Sequence, residues 1–85
     1  MLEHKPEDII HIIENKNRQL IVAVWASLSK WSDEEVADRT GLPIGYCEKE
    51  VRFLKINNII GDKGLINTYA IQYIRSNIVK AIKKQ

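Results

Sequence analysis

A single cysteine among 85 residues excludes an internal disulfide. Cys47 also has no second thiol or suitably spaced histidine with which to form a zinc site, since His4 and His11 stand seven apart and isolated. No apolar run approaches the ~20 residues of a membrane span, and the first residues lack the basic-then-apolar pattern of a secretory signal. The expectation is a soluble cytoplasmic chain with no membrane partner. Catalytic signatures are equally sparse. There is no glycine loop to cradle phosphate and no Ser/His/Asp or Cys/His arrangement, and the carboxylates of Asp33, Glu34, Glu35 and Asp38 serve the start of a helix. We therefore expect no enzyme, no metal and no cofactor. Repeats, low-complexity tracts and linkers longer than a turn are also missing. With 45% hydrophobic side chains, residues 1–85 read as one domain around one small core.

A strong excess of charge is the last thing lacking, because the net is only +2. Its distribution is uneven, however. Residues 1–42 hold five Lys/Arg against eight Asp/Glu, whereas residues 43–85 hold eight against three, so the basic character begins near the middle of the chain.

Short helices account for most of the chain. Pro6 suits a first helical turn and Glu7 and Asp8 suit its dipole, predicting a helix to about Glu14 with a break at residues 15–17. Leu20, Ile21, Val24, Trp25 and Leu28 then repeat at helical spacing. Ser32 and Glu35 form a capping box, Trp31 and Val36 a hydrophobic staple, and Gly41 suits a left-handed helix end. After Leu42, Pro43 can open another helix, which gives a helix-turn-helix over about 32–56.

On the helix over 43–56, at about 100° per residue, Cys47, Val51 and Leu54 form an inward stripe. Gly45, Lys49 and Arg52 lie opposite. Glu50 falls toward the core edge, and Glu48 precedes Arg52 by four residues, the favourable order for an intrahelical ion pair. A bare glycine at the outer centre suits close approach of another backbone, such as a phosphate chain, or else a frayed first turn.

Beyond Lys55 the pattern becomes extended. Ile59-Ile60, two glycines around Asp62-Lys63, and Leu65 to Tyr69 predict a β-hairpin over about 59–69 with Lys63 at its tip. From about 70 to 84 an amphipathic helix places Ile71, Ile74, Ile78 and Ile82 in one stripe, with Arg75, Lys80, Lys83 and Lys84 off it. That stripe serves either the monomer's core or a homodimer, the preferred reading, whose two-fold axis would set two reading helices about one DNA turn apart.

The predicted fold is mostly α with a small β-hairpin wing, in the order of a winged helix-turn-helix. Ala37, Gly41-Leu42, the apolar trio Cys47, Val51 and Leu54, and Asn57-Asn58-Ile59-Ile60 before the hairpin also resemble the core of the MarR and ArsR superfamily of transcriptional regulators. The resemblance covers about residues 18–69 and implies a dimer bound to double-stranded DNA, with the helix over 43–56 in the major groove and the wing on the backbone. It places Ile44, Gly45, Tyr46, Lys49 and Arg52 at or near the bases, and Lys55 and Lys63 near phosphate. Arginine or lysine there can bond guanine O6 and N7, and an apolar side chain can meet a thymine methyl. Two alternatives stand beside this one. A replication or partition factor would use the same helix, and a winged-helix adaptor would offer Ile44, Tyr46 and Phe53 to a protein partner.

Overall fold

The computed structural model describes residues 5–28 and 30–83, without the side chains of 78–83. It contains α1 (Pro6–Ile13), α2 (Lys16–Trp25), α3 (Asp33–Thr40), α4 (Ile44–Ile56) and α5 (Thr68–Lys83), and a single 3-10 turn over Asp62–Gly64.

Polar side chains at the helix junctions set where each element begins. Asn15, in the segment read as a break, is the N-cap of α2: its side chain accepts from the amides of Asn17 and Arg18 at 2.9 and 3.2 Å. Ser32 caps α3 as expected, accepting from the Glu35 amide at 3.3 Å. The reciprocal half of that capping box does not form, because the Ser32 amide donates to the Lys30 carbonyl instead. Trp31 stands just before that cap. It sits 39% exposed, donates Nε1–H to the Trp25 carbonyl at 3.0 Å, and lies against Gly64.

The α3–α4 turn follows the sequence closely. Gly41 ends α3 at φ 75°, a conformation that suits a residue without Cβ. Thr40 Oγ1 donates to the Val36 carbonyl at 2.6 Å and accepts from the Leu42 amide at 3.3 Å, which ties the turn to the last turn of α3. Pro43 stands immediately before α4 rather than inside it. At the far end Asn58 adopts φ 57°, with the Ile59 amide on the Leu54 carbonyl and the Asn58 amide on that of Lys55, the paired bonds of a Schellman ending.

Ile9, Ile13, Ile21, Val22, Trp25, Leu28, Val36, Cys47, Val51, Leu54, Ile59, Ile60, Ala70 and Ile74 form one buried cluster shared by all five helices and the 59–60 segment. Each large aliphatic side chain in it contributes ~1.5–3 kcal/mol through burial. α3 packs on both α2 and α4, and α5 packs on α1 and α2.

The β-hairpin wing is absent. Among the described residues there is no β-strand, only one isolated antiparallel bridge between Ile60 and Ile66. Ile59 and Ile60 are both buried in the core, so they do not alternate between two faces as a half-exposed strand requires. The connecting residues close as a 3-10 turn, with Lys63 at φ 56° and Gly64 at φ 82°. Extension then stops at Asn67, whose Oδ1 accepts from the amides of Tyr69 and Ala70 at 2.9 and 3.4 Å and so starts α5. Seated against Trp31 and Ala26, this turn is part of the body of the domain rather than a projecting wing.

Of the C-terminal isoleucine stripe, Ile74 lies in the core and Ile71 is partly buried. The side chains of Ile78, Ile82, Lys80 and Lys83, like all of Lys84 and His4, fall outside the described residues. At Ile74, together with Ala70 beside the stripe, α5 closes the monomer's core.

Candidate functional site

α4 is the element on which the sequence concentrates candidate residues. Its buried side is Cys47, Val51 and Leu54, as the periodicity requires. This fixes the roll of the helix and turns Gly45, Lys49 and Arg52 outward, where all three are exposed. Around Gly45 the space is open, and a Cβ built there meets no atom within 4 Å. Ile44 is 45% exposed at the start of the helix. Tyr46, by contrast, is partly buried and packs against the core, so it belongs to the flank of α4 and not to its outer centre.

The charges on α4 are sorted by their partners. Glu50 is taken up by Arg18 of α2, whose Nε donates to Oε2 at 2.7 Å, with side-chain exposures of 24% for Arg18 and 15% for Glu50. The same guanidinium donates from Nη1 to the Ile12 carbonyl at 3.0 Å and stacks over Phe53, its Cζ 4.5 Å from the ring centroid. Lys49 and Arg52, in contrast, have no ion-pair partner among the described residues. The expected Glu48–Arg52 bridge does not form, and the ion pairs among the described residues are His11–Glu14, Arg18–Glu50 and Arg39–Glu35.

Lys55 continues the basic side toward the last turn of α4, and its ammonium lies 5.3 Å from the Trp25 ring centroid. Trp25 also ties down the neighbouring turn, donating Nε1–H to the Gly61 carbonyl at 2.7 Å. Lys63 is exposed at the tip of that turn. Ile44, Gly45, Lys49, Arg52 and Lys55 are thus exposed along one helix, whereas Lys63 comes from a separate turn anchored through Trp25.

Asp33 at the start of α3 joins Glu48, Val51, Arg52 and Lys55 around a surface depression of about 200 Å³. A second depression, about 600 Å³, is lined by Lys30, Ser32, Glu34, Glu35 and Asp38. The buried Glu35 Oε2 beside it makes no hydrogen bond, and its nearest cation is Arg39 Nε at 3.6 Å. Among the described residues, no three His, Cys, Asp or Glu side chains gather as a metal site, and no helix is long and apolar enough to cross a membrane.

Sequence reasoning missed Arg18. Its partner Glu50 is 32 positions away, and no local pattern pairs a residue at the start of α2 with one in the middle of α4. The only hint was Glu50's place at the edge of the buried stripe, where a carboxylate needs a cation or a donor. Comparison with protein-family models, curated proteins and solved structures finds no match to this chain.

Proposed function

We propose that the chain binds double-stranded DNA through the helix-turn-helix of α3 and α4, with the exposed side of α4 in the major groove. What carries the reading is the contrast among the charges of α4. Glu50, nearest the core, is neutralised by Arg18, while the outward Lys49 and Arg52 have no ion-pair partner among the described residues. An unpaired arginine on an exposed helix is equipped to bond guanine O6 and N7, a contact that discriminates by ~1–3 kcal/mol. Ile44 takes the role of contact to a thymine methyl, and the bare backbone at Gly45 allows a phosphate or base edge to come close. Lys55 and Lys63 contribute phosphate contacts that position without specifying.

Under this reading the chain is a cytoplasmic transcriptional regulator acting as a homodimer, in line with the superfamily its motifs resemble. The adaptor alternative is less well supported. Tyr46 packs inward and Arg18 stacks on Phe53, which leaves Ile44 and the still partly exposed Phe53 nine residues apart on α4.

The test is a binding titration with the double variant Lys49→Ala/Arg52→Ala on labelled duplex DNA. Both side chains point away from the core, so the variant keeps the wild-type melting profile and loses binding. A folded variant that binds as tightly as wild type removes α4 from the mechanism.

A further inference from the structure

Arg18 joins three elements through one planar group. Its Nε meets Glu50 of α4 at 2.7 Å, its Nη1 meets the Ile12 carbonyl at 3.0 Å, and its face covers Phe53 of α4. Ile12 lies in the last turn of α1, where carbonyls lack an intrahelical donor. Glu50 and Phe53 are three residues apart, adjacent along one side of α4. A guanidinium held on both at once therefore adds a polar restraint to the roll that Cys47, Val51 and Leu54 already set. A lysine can supply the charge but not the stacked plane or the second donor direction.

Glu50 sits one position after Lys49 and two before Arg52. An unneutralised carboxylate there lies within about one Debye length of both, and it opposes any polyanion that approaches them.

We propose that Arg18, from outside the α4 surface, is a positioning residue for polyanion binding: it cancels the Glu50 charge, so that this carboxylate does not add to the exposed Glu48 in opposing a polyanion at Lys49 and Arg52. The proposal rests on the DNA reading of α4.

The experiment compares wild type, Arg18→Met, Arg18→Lys, Glu50→Gln and the double variant Arg18→Met/Glu50→Gln. Affinity for a labelled duplex is measured at several salt concentrations, with folding followed by circular dichroism. Arg18→Met should weaken binding about five- to tenfold at low salt, as expected for an unneutralised carboxylate within about a Debye length of several phosphates. The double variant restores affinity to within about twofold, because the neutral amide needs no cation; Glu50→Gln alone binds at least as well as wild type, and Arg18→Lys lies close to it, since these variants differ chiefly in local charge. Where Arg18→Met does not fold, the double variant and Arg18→Lys carry the test, since neither leaves the partly buried Glu50 carboxylate without a cation.

A folded Arg18→Met that binds like wild type overturns the proposal. So does a folded double variant as weak as Arg18→Met, or, where the single variant does not fold, one well below wild type; either result means that Arg18 acts otherwise than by cancelling the Glu50 charge. Wild type that fails to bind duplex DNA at any salt removes the DNA reading and this proposal with it. The two failures are thus told apart by the wild-type titration.

Discussion

Replacing Gly45 with alanine should stabilise the fold and weaken its DNA binding, two effects of opposite sign from one methyl group. Gly45 is the second residue of α4 and its φ lies outside the left-handed region, so the backbone does not require glycine. Space does not require it either, since an added Cβ meets nothing within 4 Å. Glycine in a helix costs ~1 kcal/mol relative to alanine, and somewhat less in a first turn, so Gly45→Ala gains about 0.5–1 kcal/mol. For a domain of this size that raises Tm by about 2–8 °C. If DNA backbone approaches α4 there, the methyl occupies the space it needs, and affinity falls about tenfold or more, ~1.4 kcal/mol. Thermal denaturation by circular dichroism and a duplex titration measure the two effects on one preparation. A variant that is more stable and binds equally well refutes close approach at Gly45 and leaves the glycine as a tolerated weak start to the helix. A variant that is less stable refutes the open geometry itself.

Two further outcomes test the frame that holds α4. Ser32→Ala removes the hydroxyl that accepts the Glu35 amide at 3.3 Å, and should cost about 0.5–2 kcal/mol in urea denaturation while leaving the affinity of the folded protein unchanged. Ile74→Ala opens a cavity in the core and should cost about 2–5 kcal/mol. Unchanged stability together with a lower mass in sedimentation would mean that Ile74 serves a dimer contact instead.

The parts of the fold legible in the sequence were those specified by neighbours in the chain. Ser32 capped α3 and Gly41 ended it, and the inward stripe of Cys47, Val51 and Leu54 set the roll of α4 from spacing alone. The hairpin misled because its signals are shared with another solution. Two glycines flanking a polar pair suit a β-turn, but they also suit a 3-10 turn, and the choice was made by burial of both Ile59 and Ile60 and by the Asn67 cap that starts α5. Asn15, Asn58 and Asn67 each end or begin a helix, and the asparagines were the punctuation most easily overlooked. Of the candidate site, the outward set of Gly45, Lys49 and Arg52 followed from periodicity. The sequestering of Glu50 by Arg18 is a long-range pairing and left no local trace.

The central claim is that α4 presents the outward cations Lys49 and Arg52 to a polyanion, and a salt titration of wild type against Lys49→Ala/Arg52→Ala on random-sequence duplex tests it most directly. The logarithm of the binding constant should fall linearly with the logarithm of salt concentration, with a slope that rises by ~0.9 for each phosphate neutralised. Loss of the two side chains should both weaken binding and flatten that slope, by about one to two phosphate equivalents. A wild-type protein that shows no binding even at low salt, or a double variant with the same affinity and slope, would contradict the account.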